Sequence, residues 1–292
     1  MSDTESGFVR QIEPQHAPAD PATLGVVEKP LSAFEKVYSV GALRKSFLIL
    51  LLIVAWQIGA GIVHNSLLFP TFSATVHAFT ESVLSGVLPE RIWVSLQVLV
   101  MGYGLGVIVA AILTAFGVTT RLGADLLETL TAMFNPLPAI ALLPIALIWF
   151  GLGEGSLIFV LVHSVVWAVT LNTQSGFLAV SPTLRMVGKN CGLTGFPYIF
   201  KILIPAAFPN ILTGLKIGWA FAWRTLIASE LVFGVSSGSG GLGWYIYESK
   251  NLLEIPRMFA GLLTIIIIGL VVENLIFRII ETHTVRKWGM QA

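Results

Sequence analysis

Arg224 is the clearest candidate for chemistry in this sequence, because it is a charged residue near the middle of a long apolar stretch, 209–235. An arginine at the centre of a membrane helix costs roughly 2.5 to 3.5 kcal/mol on insertion scales, so it should face a cavity or a partner. In a cavity, its guanidinium would offer positive charge to an anion. Alternatively, it pairs with an acid such as Glu230 or Glu273 and fixes the packing of the helices.

Little else in the sequence supports catalysis, metal binding or nucleotide binding. The five histidines are scattered, the single cysteine, Cys191, cannot form an internal disulfide, and no HExxH motif occurs. No GxxxxGKS or GxxxxGKT phosphate loop is present, so ATP should not bind to this chain. We therefore expect no catalytic residue, no metal site and no cofactor here.

The composition excludes a water-soluble globular protein. Of the 292 residues, 55% are hydrophobic and 11% are charged, and the mean hydropathy is +0.84; soluble domains carry about 25% charged residues. The 17 basic and 16 acidic residues give a net charge of +1, and no basic run follows a nucleic-acid-binding pattern. The partners should therefore include membrane lipid and should not include nucleic acid.

Six segments are long and apolar enough to span a membrane. A spanning helix needs roughly 20 apolar residues, and lipid satisfies no backbone groups, so such runs must be helical. In chain order the segments lie at 46–80, 92–120, 129–153, 155–184, 209–235 and 257–277. They predict an all-α membrane protein with six transmembrane helices.

The sequence divides into a cytoplasmic N-terminal tail at 1–45, a transmembrane domain at 46–280 and a cytoplasmic C-terminal tail at 281–292. Apolar positions at 33–43 fall on one helical face beside basic residues, which favours an interfacial helix. With the N-terminus inside the cell, twelve basic residues face the cytoplasm and three face outside. This bias predicts that both termini are cytoplasmic.

The cytoplasmic loop at about 181–209, between spans four and five, is unusually apolar. Pro197 suits the first turn of a helix, and Pro205 disfavours helix at the residue before it, so we expect a short helix of about two turns. Such a helix cannot bury its apolar side against itself and is only marginally stable alone. The apolar side could occupy a groove on a partner or pack on the chain's own helices; its residues are Phe196, Ile199, Phe200 and Leu203.

The same loop resembles the permease subunits of binding-protein-dependent ABC importers, in particular the nitrate, sulfonate, taurine and bicarbonate group. That family's signature is Glu-Ala-Ala, three residues, Gly, nine residues, Ile, one residue, Leu-Pro. Gly192, Ile202 and the pair at 204–205 sit at those spacings, whereas 186–188 read Met-Val-Gly. The stretches 135–153, 209–223, 229–234 and 241–246 resemble the same group, and the likeness extends from residue 46 onward.

The resemblance implies a type I importer permease fold with a coupling helix between spans four and five. Gly192 would be the hinge before that helix, Ile202 a signature position inside it and Pro205 its terminator. The helix would dock into a separate ATP-hydrolysing subunit, which binds the ATP and Mg²⁺. The docking face would consist of Phe196, Pro197, Tyr198, Ile199 and Phe200.

The resemblance also implies an assembly in the bacterial inner membrane. Two ATP-binding subunits would drive transport, and a periplasmic or lipid-anchored solute-binding protein would deliver a small, anionic solute. A second permease chain would complete the passage; we expect a homodimer, although some importers pair two different permeases.

Other polar residues in the spans have alternative interpretations. Glu230, near the outer end of span five, could act in gating, contact the solute-binding protein or make a hydrogen bond at a helix end. Asn135, beside Pro136 and Pro138, could break span three and expose carbonyls to the pathway, or pack locally.

Structural roles are expected for the remaining polar and small residues. Glu273, Arg278 and Glu281 should form a solvated, mutually paired cluster, and His163, Asn172 and Gln174 should be satisfied between helices. Small residues at helical spacing should let two helices approach closely; they are Gly102, Gly106 and Ala110.

Two rival functions are weaker. A secondary transporter driven by an ion gradient should carry acids central to its spans and no apolar cytoplasmic helix, whereas most acids here lie near span ends. A membrane-embedded hydrolase should carry a nucleophile beside a base, but His163 has no serine or cysteine motif next to it.

Overall fold

The computed structural model describes residues 39–233 and 240–287, and every regular element within those ranges is helical. The helices are α1 (Gly41–Val63), α2 (Phe72–Leu84), α3 (Val87–Thr119), α4 (Arg121–Phe134), α5 (Leu143–Phe150), α6 (Glu154–Ala179), α7 (Pro182–Asn190), α8 (Gly195–Tyr198), α9 (Ile204–Phe233), α10 (Leu242–Asn251), α11 (Ile255–Val271) and α12 (Arg278–Glu281). A 3-10 turn (Ala139–Leu142) precedes α5, and π segments follow α8 (Ile199–Leu203), α11 (Val272–Phe277) and α12 (Thr282–Arg286). The predicted interfacial helix at 33–43 falls mostly outside the described residues.

The predicted all-helical membrane fold is confirmed. Five helical runs of the described chain are long and apolar enough to cross a membrane: 41–63, 87–119, 154–179, 195–232 and 255–286. The pair α4 and α5 makes a sixth span if the two helices are counted together, although they meet at a bend of 88°.

Contacts divide the chain into two units, one ending at Ala55 and the other beginning at Trp56. In the first unit, the described residues 39–55 include the start of α1, whose large apolar side chains, such as Phe47 and Leu52, are more than half exposed. In the second unit, the Trp56 indole donates a hydrogen bond to the Pro70 carbonyl at 2.9 Å. The exposed apolar side chains of the first unit suit contact with lipid.

Small residues bring α3 against α6. A Cβ atom added at Gly102 would lie 2.6 Å from the Cβ of Leu161, and one added at Gly106 would lie 2.7 Å from the Cβ of Val165. Because real Cβ atoms do not approach that closely, only glycine permits this packing. The predicted close approach of helices at Gly102 and Gly106 is confirmed.

Glycines also bring α6 against α9. A Cβ atom at Gly176 would lie 2.7 Å from the Cβ of Asn210, and one at Gly214 would lie 2.8 Å from the Cβ of Asn172. The α6 helix is therefore packed closely on both α3 and α9. The core between these helices is aliphatic and includes Leu99, Leu161, Val165, Val169 and Leu226.

The third predicted span is broken at a proline-rich turn. The helix α4 ends at Phe134, and the backbone N–H of Asn135 donates to the Thr131 carbonyl at 3.0 Å. Pro136 and Pro138 follow, and neither has an N–H that could continue the helix. The chain therefore turns sharply between α4 and α5, with Asn135 at the bend.

Candidate functional site

A glycine turn separates α7 from α8. The backbone of Gly192 has a φ of +70°, in the left-handed region that favours glycine. Its N–H donates to the Lys189 carbonyl at 2.9 Å, and the Leu193 N–H donates to the Gly188 carbonyl at 3.0 Å. These two bonds form a Schellman motif, which ends α7 and redirects the chain. A hinge function for Gly192 stays a prediction.

The α7 helix is fastened to the end of α6. The Arg185 guanidinium donates to the carbonyls of Phe177, in the last turn of α6, and of Val180, the first residue after α6. A cationic side chain at a helix carboxyl end satisfies unpaired carbonyls and suits the helix dipole. This end of the connection is therefore anchored within the chain.

The apolar residues of the predicted short helix divide between two faces. Ile199 and Leu203 are 4% and 0% exposed, and they pack against the end of α6 at Phe177. Phe196 and Phe200 are 65% and 64% exposed. The structure thus corrects the predicted docking face, because Ile199 is buried in the chain's own core.

Tyr198, another residue of the predicted docking face, and the signature residue Ile202 lie toward the chain. Gly188 is buried on α7, and a Cβ atom added there would lie 3.0 Å from the Tyr198 ring and from Cγ1 of Ile202. Both of these side chains are half-buried, whereas Pro197 is exposed. The exposed residues of the predicted docking face are therefore Phe196, Pro197 and Phe200, and we call them the phenylalanine face.

Pro205 does not terminate the short helix, contrary to the prediction. The chain stays helical from Gly195 to Val232, so α8 continues into α9 through the π segment Ile199–Leu203. A proline ring crowds the carbonyl four residues before it, and its nitrogen cannot donate a hydrogen bond. The π segment Ile199–Leu203 includes Lys201, the residue four positions before Pro205, and its wider turn gives the proline ring more room within a continuous helix.

Arg224 and Asn135 line the same cavity. The cavity has a volume of about 270 Å³ and lies where the bend between α4 and α5 meets α6 and α9. It is lined by Asn135, Pro136, Leu137, Pro138, Ala139, His163, Ser164, Trp167, Ala168, Phe221, Arg224 and Thr225. We call it the Arg224 cavity.

The Arg224 guanidinium has no acidic partner among the described residues. Its Nε donates to the Ala220 carbonyl at 3.0 Å, and its Cζ lies 5.3 Å from the centre of the Phe221 ring. The described part of the chain shows no ion pair of Arg224 with Glu230 or Glu273. The packing alternative, in which one of these acids pairs with Arg224, is therefore wrong.

Arg224 also lines a second cavity, of about 470 Å³, between α9 and the run that begins with α11. That cavity contains Lys216 and Glu273 as well as Trp219 and Trp223. The guanidinium therefore borders two spaces on different sides of α9.

Glu230 joins three helices at the far end of α9. The residue is 3% exposed, and its carboxylate accepts hydrogen bonds from the Ser95 hydroxyl of α3 at 2.8 Å and from the Gly243 N–H of α10 at 2.8 Å. Ser95 in turn accepts the Leu242 N–H at 2.8 Å. The carboxylate and the hydroxyl thus satisfy the first N–H groups of α10, and a carboxylate suits a helix amino end.

The hydroxyl of Tyr245, beside this junction, also has a hydrogen-bond partner. The Tyr245 hydroxyl of α10 shares a hydrogen bond of 2.8 Å with Ser82 of α2. Burial raises the pKa of Tyr245 above its ordinary value, so this hydroxyl stays protonated at neutral pH.

The predicted cluster of Glu273, Arg278 and Glu281 is replaced by a different one. Glu281 accepts a hydrogen bond from Lys216 of α9 at 2.6 Å and lies 3.4 Å from Arg286. Lys216 is remote in sequence, and no local pattern connects it with Glu281. The ion pair therefore ties α9 to the C-terminal helical run.

His163 and Asn172 of α6 were predicted to form hydrogen bonds with neighbouring helices, and the structure shows no such bond for either residue among the described residues. Both ring nitrogens of His163 are buried and lack a hydrogen-bond partner among the described residues. Asn172 donates to the Ala168 carbonyl of its own helix at 2.8 Å. The sequence pattern predicts no role for Trp167 or Ser95, because nothing in their spacing indicates the residues that they contact.

Comparison with known proteins supports one family. Residues 102–288 match the family described as binding-protein-dependent transport system inner membrane component. The matched region includes α6 to α12, and with them the phenylalanine face and the Arg224 cavity.

Individual relatives are similar over most of the chain. A protein of Methanocaldococcus jannaschii named as an ABC transporter permease is 31% identical over 77% of this chain and 84% of its own length. The aliphatic sulfonates transport permease of Bacillus subtilis is 29% identical over 81% of this chain and 84% of its own length. The nitrate import permease of a Synechocystis strain is 28% identical over 82% of this chain and 88% of its own length.

Proposed function

The chain belongs to the family of binding-protein-dependent transport system inner membrane components, and we propose that it forms the passage of an ATP-driven importer for a small anion. The relatives named for sulfonates and nitrate support an anionic solute. The chain itself would provide the membrane path and transmit motion, while a separate subunit binds ATP and Mg²⁺ and hydrolyses the ATP. Transport would proceed by alternating access.

The observation that carries this proposal is the phenylalanine face. Phe196 and Phe200 are four residues apart, lie on one side of a helical run and are each nearly two-thirds exposed. Exposed aromatic residues next to one another are typical of a contact surface for another protein. We infer that this face docks into a groove on the ATPase subunit.

Motion at this face has a direct route into the membrane. Because helical structure continues from Gly195 to Val232, the phenylalanine face and Arg224 belong to one helical run. Leu203 and Ile199, both buried, tie the start of that run to the end of α6. A tilt of the docked segment would therefore move α9 together with α6 and change access to the Arg224 cavity.

The polar residues take roles along the proposed passage. Arg224 would attract the anion, and Asn135, at the bend of the third span, would line the same space. Glu230 would act at the outer end of the passage. Its hydrogen bonds to α3 and α10 would hold these helices together when the passage is closed to the outside and would break when it opens.

The proposed assembly contains two copies of this chain, two ATPase subunits and an external solute-binding protein. It would lie in the inner membrane with both termini in the cytoplasm, so that the phenylalanine face meets the ATPase. The second copy would cover part of the apolar surface that a single chain exposes, and lipid would cover the rest.

The test is co-purification of the tagged full chain with its ATPase subunit after the double substitution Phe196→Asp and Phe200→Asp. We expect the variant to insert normally but to lose the ATPase, because two carboxylates in an apolar groove carry a large desolvation cost. The measurements are the amount of ATPase subunit that co-purifies with the tagged chain, determined on a gel, and the rate of solute-stimulated ATP hydrolysis.

Two control variants isolate the docking effect. Phe196→Leu with Phe200→Leu keeps the face apolar and should retain the ATPase. Asn190→Asp adds a carboxylate to an exposed position at the end of α7 and should also retain it. Undiminished co-purification and stimulation in the double aspartate variant would contradict the proposal.

A further inference from the structure

Lys216 of α9 takes part in an ion pair and also borders a cavity. Its Nζ lies 2.6 Å from a carboxylate oxygen of Glu281, which belongs to the C-terminal helical run. Lys216 also lines the cavity of about 470 Å³ between α9 and the run that begins with α11. The lysine side chain is 36% exposed, so its partner does not enclose it. We call this space the Lys216 cavity.

A second carboxylate borders the same cavity. Glu273 lines it and is exposed, and it forms no ion pair within the part of the chain that the structure describes. A carboxylate within an apolar helical run is costly unless a cation or water accompanies it. Arg224 also lines the cavity, but its Nε donates to the Ala220 carbonyl of its own helix. Lys216 has a flexible four-carbon stem and is therefore the cation that can turn to Glu273.

Glu281 keeps a cation when Lys216 turns away. Arg286 lies 3.4 Å from the other carboxylate oxygen of Glu281 and belongs to the same helical run. The loss of Lys216 therefore does not leave Glu281 without a positive charge nearby, which would be the costly outcome. Two arrangements of Lys216 that are close in free energy can exchange when a neighbouring helix moves.

The backbone around the two carboxylates is irregular. Glu273 lies in the π segment Val272–Phe277, and a second π segment, Thr282–Arg286, begins directly after Glu281. The two glutamates are eight residues apart, about 12 Å along an ideal helix. Because helices bend at π insertions, a small bend in this part of the run would change which carboxylate is nearer to Lys216.

We propose, within the importer function proposed above, that Lys216 acts as a latch that exchanges between Glu281 and Glu273 as the passage opens to the cytoplasm. When Lys216 pairs with Glu281, the ion pair holds α9 to the cytoplasmic end of the C-terminal run. When Lys216 pairs with Glu273, the ion pair lies about two turns deeper in the membrane. The cytoplasmic ends of the two helical runs then separate and open the Lys216 cavity.

Cysteine labelling tests this exchange without depending on ATP hydrolysis. The reporter is Ala220→Cys, at a half-buried position of the Lys216 cavity, in a full chain whose single cysteine is removed by Cys191→Ser. Inside-out membrane vesicles present the cytoplasmic side to a membrane-impermeant maleimide. Mass spectrometry of the intact chain measures the rate of labelling.

Neutralising each carboxylate should change the labelling rate in opposite directions. Glu281→Gln removes the partner of the closed arrangement and should raise the rate about fivefold, the change in population that the loss of a partly exposed ion pair gives. Glu273→Gln removes the partner of the open arrangement and should lower the rate by a similar factor. Partial unfolding would raise the rate, so a folding defect does not account for the decrease.

Two further variants serve as controls. Glu248→Gln neutralises a partly exposed glutamate that pairs with Arg91 outside the cavity, and it should leave the rate unchanged. Lys216→Gln removes the cation common to both arrangements. In that background, neither Glu273→Gln nor Glu281→Gln should change the rate further.

The outcomes distinguish the latch from the importer function. Any result other than a rise with Glu281→Gln and a fall with Glu273→Gln would overturn the latch, as would the same rise and fall in the Lys216→Gln background. The expected rise and fall in a chain that binds no ATPase would keep the latch and overturn the importer proposal. Solute-stimulated ATP hydrolysis without the rise and fall would do the reverse.

Discussion

The two ends of the helical run from Gly195 to Val232 are built in opposite ways. Near one end, the Glu230 carboxylate is 3% exposed and accepts hydrogen bonds from Ser95 and Gly243. At the other end, Phe196 and Phe200 are 65% and 64% exposed although both are strongly apolar. A carboxyl group is buried where the chain supplies hydrogen-bond partners, whereas apolar side chains are exposed where the chain supplies nothing to cover them.

This difference agrees with the proposal that the end with the phenylalanine face docks on another molecule. The Glu230 junction needs nothing beyond the chain, because its carboxylate, the Ser95 hydroxyl and the first N–H groups of α10 satisfy one another. In the docking proposed above, the phenylalanine face would gain stability when the ATPase subunit covers it. Substitutions at the first end should therefore reduce stability, and substitutions at the second should reduce assembly.

Glu230→Ala should have the largest effect on stability. Removing the carboxylate leaves the Gly243 N–H and the Ser95 hydroxyl without their acceptor in a buried place, which we expect to lower the free energy of unfolding by about 3 kcal/mol. Denaturation by SDS in mixed micelles, followed by tryptophan fluorescence, measures this loss. Glu248→Ala removes a half-exposed carboxylate that pairs with Arg91 and should cost less than about 1 kcal/mol. An equal decrease in the free energy of unfolding in the two variants would show that the Glu230 junction contributes no more to stability than an exposed ion pair.

Leu203→Ala should have the next largest effect. Leu203 is 0% exposed, so its truncation leaves a cavity and should cost about 2 to 3 kcal/mol. The matched variant Phe200→Ala removes a larger side chain from an exposed site three residues earlier and should change stability by less than about 0.5 kcal/mol. The same SDS titration compares them. A greater loss for Phe200→Ala would show that the exposed and buried faces have been exchanged.

Gly192→Ala should have the smallest effect of the three. The φ of +70° at Gly192 is unfavourable for a residue with a Cβ, although no atom lies within 4 Å of that position, so the cost should be about 1 kcal/mol. Gly192→Asn should cost less, because asparagine tolerates the left-handed region. Thermal unfolding of both variants in detergent measures the difference. Equal stability of the unsubstituted chain and the two variants would mean that the backbone conformation of the turn is not restrained at Gly192.

The fold was largely predictable because its main constraint is local. Backbone groups in lipid must be satisfied within the segment, so the apolar runs at 92–120 and 155–184 could only be helices. The close approach at Gly102 and Gly106 was also readable from residue size and helical spacing. The 88° bend of the third span was predictable only in part, because Pro136 and Pro138 indicate a break but do not give its angle.

The candidate site was predictable only in part. Spacing indicated that the loop after span four carries an apolar helical segment, but it grouped Ile199 with Phe196 and Phe200 on one face. It also indicated a stop at Pro205, because the π turn that accommodates this proline has no clear local signal.

The sequence by itself determined the helical spans, the apolar character of the cytoplasmic loop and the membership of the family, because hydropathy, periodicity and motif spacing act over short distances. Only the tertiary structure decided which apolar residues stay outside and which charges are paired. Ser95 and Glu230 are 135 residues apart, and Lys216 and Glu281 are 65 apart. Such pairs depend on how helices approach one another. The same is true of Arg224, which lines a cavity and forms no ion pair with an acid among the described residues.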